Sequence, residues 1–117
     1  MNIRVRRGDN MWYYSQLFNI PLPLILDSNR DIEPNALQIG QTVRIPGFYV
    51  NFYIIQPGDT FWGISKQLGI NFDVIQLLNP TINPYHLQLG QRINIPFRVQ
   101  NPIVQGRRAY GYRALYM

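Results

Sequence analysis

The sequence predicts an α+β protein built from two small βααβ modules, each with two helices packed on a two-stranded antiparallel sheet. Three observations predict it. The chain repeats itself at an offset of fifty residues (Gly8-Asp9 against Gly58-Asp59). Each copy orders its local signals as strand, helix, helix, strand. With two strands enclosing a helical hairpin, the simplest way to bury both helices is on one face of the sheet.

The repeat needs no gap. Gly8, Asp9, Trp12, Ser15, Ile20, Ile25, Asn29, Ile32 and Pro34 each meet the same residue fifty positions on, as do Leu37, Gln38, Gly40, Gln41, Ile45 and Pro46. That is fifteen identities in the forty-four pairs from Ile3/Tyr53 to Pro46/Pro96. Chance alone gives roughly two or three at ordinary composition, so the copies are a true duplication.

The second copy shows its elements most clearly. Asn51 to Gln56 is aromatic and β-branched and is stopped by Pro57-Gly58, which predicts a short strand. Asp59 or Thr60 is placed to cap the helix that follows, Phe61, Ile64, Ser65 and Leu68 recur at helical spacing, and Gly69 suits the left-handed residue that ends it. Asn71 caps a second helix with Val74, Ile75 and Leu78 as its buried stripe; Pro80 and Pro84 then forbid continuation. After Gly90, Gln91 to Ile95 alternates polar and apolar until Pro96. In the first copy Pro21 and Pro23 bracket the start of the second helix, where proline is tolerated but supplies no cap. The expected domains are a first module over 1–47, a short linker over 48–51 and a second module over 52–97. The linker is partly apolar, so the modules are expected to touch. A basic, Tyr/Arg-rich tail over 98–117 shows no period and is expected to be a flexible extension.

Composition narrows the function. The net charge is +5, but residues 51–96 balance Lys66 and Arg92 against Asp59 and Asp73, while Arg98, Arg107, Arg108 and Arg113 have no acid beside them. Without cysteines, each module must hold together by packing, with neither disulfides nor a thiolate zinc site. The basic start is followed by Gly8-Asp9-Asn10, which does not read as a secretory signal, and no run approaches the ~20 apolar residues of a membrane-spanning helix.

The segment Tyr53-Ile54-Ile55-Gln56-Pro57-Gly58-Asp59-Thr60-Phe61-Trp62-Gly63-Ile64-Ser65 resembles the opening of a LysM module. Asn79-Pro80-Thr81-Ile82-Asn83-Pro84 through Gly90-Gln91-Arg92-Ile93-Asn94-Ile95-Pro96 resembles its close. The likeness covers 51–96 and, less fully, 2–46. It implies the βααβ fold and a non-catalytic carbohydrate-binding protein for N-acetylglucosamine glycans, peptidoglycan or chitin, held in a shallow groove between two loops. Carried onto this chain, one wall is Gly58, Asp59, Thr60 and Phe61 and the other is Asn79, Pro80, Thr81, Ile82 and Asn83. In the first module the walls are Gly8, Asp9, Asn10 and Met11, facing Asn29, Arg30, Asp31 and Ile32. An N-acetyl sugar offers an amide, a methyl group and apolar ring faces, which loop backbone groups and Ile82 or Phe61 can meet without charge.

Other roles are weaker on the residues. Trp12 and Trp62 sit on a helix, which favours packing over sugar stacking. Asp9 and Asp59, just before a helix, favour capping over catalysis. Asn29 and Asn79 suit turn backbone as well as ligand. His86 faces Ala36 in the repeat and has no partner for a metal, so neither metal nor cofactor is expected. Glycoside cleavage needs two facing carboxylates, and no such pair, thiol or triad is legible. Arg4, Arg6 and Arg7 read as a solvated strand edge. The tail adds an anionic wall polymer as a possible partner, while nucleic acid is disfavoured because the repeats lack aromatic–basic interleaving. The alternative is a structural or assembly protein of a spore coat or phage particle that uses the modules for attachment. The expected location is a bacterial cell wall or spore, or the cytoplasm before assembly.

Overall fold

In the computed structural model, which describes residues 1–99, each copy folds in the predicted order. The first module runs β1 (Asn2–Arg4), α1 (Met11–Phe18), α2 (Leu22–Ser28) and β2 (Thr42–Arg44). The second runs β3 (Phe48–Ile54), α3 (Phe61–Leu68), α4 (Phe72–Leu78) and β4 (Arg92–Arg98). β1 pairs antiparallel with β2, Ile3 opposite Val43, and β3 pairs antiparallel with β4, Tyr53 opposite Ile93.

Capping explains where the helices begin. Asn10 Oδ1 accepts from the Tyr13 N–H at 2.7 Å and Thr60 Oγ1 from the Gly63 N–H at 2.9 Å. Asp9 and Asp59 do not cap. They stand one residue too early, and each carboxylate turns back to close the glycine turn, accepting from the N–H of Arg6 or Gln56. α1 ends on Asn19 at φ 54 and α3 on Gly69 at φ 67. In α4 Asn71 accepts from the Asp73 N–H, whereas Pro21 gives α2 no cap.

The helices bury one stripe each against the sheet. Met11, Tyr14, Ser15 and Phe18 face inward from α1, and Phe61, Ile64 and Ser65 from α3. They meet Val43 and Ile45 in the first module and Ile93 and Ile95 in the second, all buried. Trp12 and Trp62, expected to pack, are instead 61% and 60% exposed. Each follows the inward residue Met11 or Phe61 directly, and one residue of α-helix turns the side chain about 100° away.

The connection also differs from expectation. Residues 48–51 are the start of β3 rather than a linker, paired with residues 95–98 of β4. Phe48 is the reason: it is buried, its ring 5.4 Å from that of Phe18 in the first module. Arg98 closes the joint, its guanidinium 5.0 Å above the Phe48 ring. A second joint forms from Arg6, which does not lie on a free strand edge. Its guanidinium holds both carboxylate oxygens of Asp73 at 2.8 Å and reaches Asp9 at 3.0 Å, while the Tyr13 hydroxyl donates to Asp73 as well. Arg4 and Arg7 are exposed, as expected. The tail expected from residue 98 starts later: Arg98 ends β4 opposite Phe48 and the Val99 N–H donates to the Gly47 carbonyl, while the rest of that expectation, residues 100–117, lies outside the described residues.

Candidate functional site

The two loops of the second module are made rigid from within. Asp59 anchors the first: its carboxylate accepts from the Gln56 N–H and from the Tyr53 hydroxyl, both at 2.8 Å. That bond to the carboxylate is the main reason the Tyr53 phenol is held above its ordinary range. Gly58 turns the chain at φ 82, a left-handed value that a side chain resists. In the second loop the Asn79 amide donates to the carbonyls of Ile75 and Asn94 and accepts from the Asn94 N–H, all at 2.7–2.8 Å. The Ile82 N–H returns to the Asn79 carbonyl, and the Tyr85 N–H to Asn83 Oδ1.

This arrangement divides the predicted residues by depth. Gly58, Thr60, Pro80, Thr81 and Asn83 are exposed, and Asp59 and Ile82 are half-buried. Phe61 and Asn79 lie behind that surface, 1% and 5% exposed. Phe61 belongs to the core stripe of α3, and the Asn79 side chain is committed to strand backbone, so both support the loops from beneath. The first module repeats the division, with Gly8, Asn10, Arg30 and Asp31 exposed, Asp9 and Ile32 half-buried, and Met11 and Asn29 buried. Its exposed charges are paired: Arg30 Nε with Asp27 at 2.8 Å, and Arg44 with Asp31 at 2.9 Å. Arg44 in turn keeps the Asp31 carboxyl below its usual range.

A cavity of about 510 Å³ opens beside the first loop of the second module. Asp59, Thr60 and Phe61 line it, together with Trp62, Phe72, Pro84, Tyr85 and Leu87. Residues 79–83 are not on its wall, so the concave site is displaced toward the later part of the α4–β4 connection. Sequence reasoning passed over Phe72 and Tyr85. The signal was present in the repeat, where Leu22 and Asn35 stand in their places.

The cavity wall carries a single carboxylate, Asp59, already engaged by two donors. In the first module a smaller cavity lies at the Arg6, Gly8, Asp9, Tyr13 and Asp73 joint. Hydrogen bonding to Asp73 foremost raises the Arg6 guanidinium pKa, and the bond from Arg6 is the main cause of the lowered Asp73 carboxyl. Burial foremost, then Asp9, raises the Tyr14 phenol. These shifts belong to a fixed ionic joint rather than to groups poised to exchange protons. Among the described residues no cluster of three or more His, Cys, Asp or Glu is placed to hold a metal ion. His86 Nδ1 lies 3.1 Å from the Asn83 amide nitrogen. No helix among the described residues is long and apolar enough to cross a membrane.

The LysM domain family matches the chain twice, over residues 3–46 and 53–96. A gamma-D-glutamyl-L-diamino acid endopeptidase 1 from Lysinibacillus sphaericus is 54% identical over 55 residues, 47% of this chain. The match takes in only 14% of that enzyme's length. Among solved structures, the LysM domain of a Volvox carteri chitinase is 55% identical, covering 40% of this chain and 96% of that one, with a TM-score of 0.38. The spore cortex-lytic enzyme SleL of Bacillus megaterium QM B1551 is 32% identical, covering 81% of this chain and 22% of that one, also with a TM-score of 0.38.

Proposed function

The chain belongs to the LysM domain family, and from that premise we propose that it is a non-catalytic carbohydrate-binding protein for N-acetylglucosamine glycans, peptidoglycan or chitin. The observation that carries this reading is the pair of internally braced, nearly uncharged loops in the second module. Thr60, Thr81 and Asn83 expose neutral polar groups there, and Ile82 offers a half-buried apolar face. A sugar amide needs a donor, an acceptor and a place for its methyl group, and these loops supply all three. Because Asn79, Asp59 and Gly58 already fix the loop backbone, little ordering cost falls on binding. Hydrolysis of the glycan calls for a second carboxylate across the bond, and the cavity wall carries one. Two modules on one chain then act by avidity on a polymer, holding the protein at a cell wall or spore surface.

Co-sedimentation with insoluble peptidoglycan and chitin, at low and high salt, tests the proposal. Retention should persist at high salt and be displaced by soluble N-acetylglucosamine oligomers. Retention that vanishes at moderate salt and resists the oligomers would assign the binding to charge and overturn it.

A further inference from the structure

We propose that the free edge of β3 pairs antiparallel with β3 of a second copy of this chain, about a two-fold axis at Asn51, joining the second modules into one four-stranded sheet. Phe48 to Ile54 is seven residues without a charge, all aromatic or β-branched except Asn51. In a two-stranded sheet such a strand keeps one edge unpaired, and an uncharged edge is a template for another strand. Val50, Phe52 and Ile54 each remain 44–45% exposed on it. The Arg92 guanidinium, 4.2 Å from the Phe52 ring centre, reaches that ring from β4, on the far side from the free edge.

The backbone fixes which groups are on offer. The bonds from Val99 N–H to the Gly47 carbonyl and from Ile55 N–H to the Gln91 carbonyl continue the β3–β4 ladder at its two ends. Odd-numbered residues of β3 therefore bond β4, and even-numbered ones turn their N–H and C=O to the free side. There the Phe48 carbonyl takes the Met1 ammonium and the Ile54 carbonyl takes the Gln56 side chain. Between them the Phe52 N–H has only the Asn51 Oδ1 beside it, and the Val50 N–H and C=O have no partner among the described residues.

The occupant follows from the order of side chains, Tyr49-Val50-Asn51-Phe52-Tyr53, which matches itself in reverse. Turned about Asn51, Val50 exchanges both backbone bonds with Phe52 of the second copy. Tyr49 then lies opposite Tyr53, and the two Asn51 amides meet at the axis, where a non-bonded pair brings side chains closest. The pairing closes on itself. Pro96 has no N–H, and the Asn79 side chain takes both backbone groups of Asn94, so β4 offers no edge for growth. Asn29 does the same to β2 at Arg44, and β1 is three residues long with Arg4 exposed. None of the groove residues takes part, so the pairing stands or falls apart from the glycan reading.

Sedimentation equilibrium of the intact chain, from about 10 µM to 1 mM, tests this. The mass should rise from 13.7 kDa toward twice that value, half-way at about 0.1–1 mM as suits a small interface. Added salt should not weaken it, because the strand is uncharged and each copy carries +5. The Val50 amide should exchange its hydrogen more slowly as concentration rises. Asn51→Lys and Asn51→Asp, both at an exposed position, should each raise the dissociation constant about tenfold or more, since like charges then meet at the axis. An equimolar mixture of the two should dimerise again. A wild type that stays monomeric to 1 mM, or that grows past the dimer, overturns the proposal. So does a folded single variant that dimerises like the wild type, or a mixture of folded variants that stays monomeric. Should the variants fold poorly, a wild-type Val50 amide that exchanges equally fast at both concentrations overturns it as well.

Discussion

Replacing Asn79 by alanine should unfold the second module more readily than any change of its size on the surface. The side chain is 5% exposed and its amide makes three bonds, to the Ile75 carbonyl and to both backbone groups of Asn94. It therefore ties the end of α4 to β4 across the loop. Alanine leaves three backbone groups without their partner, at about 1 kcal/mol net for each. The two bonds to Asn94 are only partly buried, so water recovers some of that. The expected loss is about 2–3 kcal/mol, a large share of the ~3–5 kcal/mol that so small a core supplies. In urea, at a slope near ~1 kcal/mol per molar, the unfolding midpoint should fall by about 2 M or more. Far-UV circular dichroism with tryptophan fluorescence reads the transition. Asn29→Ala, with matching bonds to Ile25 and Arg44, should do the same to the first module. A loss below about 0.5 kcal/mol, within the range of ordinary surface changes, would refute the brace.

Four further outcomes are expected. The lowered Asp73 carboxyl contributes stability that is complete above the unfolded value near ~4 and lost as pH falls through the lower folded value. The joint to Arg6 and Tyr13 should thus loosen in acid, seen as a change in inter-module residual dipolar couplings that Asp73→Asn removes. Gly58→Ala meets no atom within 4 Å, so its cost is the backbone alone at φ +82, about 1–2 kcal/mol by thermal melting. Ile82→Ala should remove most oligomer binding in an NMR titration and Ile32→Ala little, since Arg30, paired with Asp27, and Asp31, paired with Arg44, place charges beside the first groove. Deleting residues 100–117, which carry no repeat and three arginines without an acid, should leave the melting temperature within about a degree or two while reducing retention on walls rich in anionic polymer.

The architecture was legible because local signals agreed with one another twice over. Helical spacing, Gly69, the cap at Thr60 and the alternation of Gln91 to Ile95 each point the same way in the second copy, and the repeat carries them to the first. What escaped was non-local or lay just off the repeat. Arg6 and Asp73 are sixty-seven positions apart, and no periodicity announces their pairing. Residues 48–50 precede the aligned segment, so the aromatic and β-branched run Phe48 to Ile54 was divided between a linker and a strand. Asp59 was misplaced by a single residue, which is enough to turn a cap into the closure of a glycine turn. The site was half legible. The loop residues came from the resemblance, but their depth depends on which way α3 faces the sheet, which buries Phe61, and on the tie from the end of α4 to β4, which buries Asn79.

Comparing the copies within one chain separates scaffold from surface. Positions identical in both are mostly explained by burial or backbone: Ser15/Ser65, Ile25/Ile75 and Asn29/Asn79 are buried, while Gly8/Gly58 and Gly40/Gly90 hold positive φ. Positions that differ near the loops, Asn10/Thr60, Arg30/Pro80 and Asn35/Tyr85, are exposed in both copies. Trp12/Trp62 breaks this rule, since it is identical yet about three-fifths exposed in both copies. Neither core packing nor backbone geometry calls for an indole there. In the second module Trp62 lines a cavity with Phe72 and Tyr85, whereas in the first Trp12 lines one with Pro21 and Pro23.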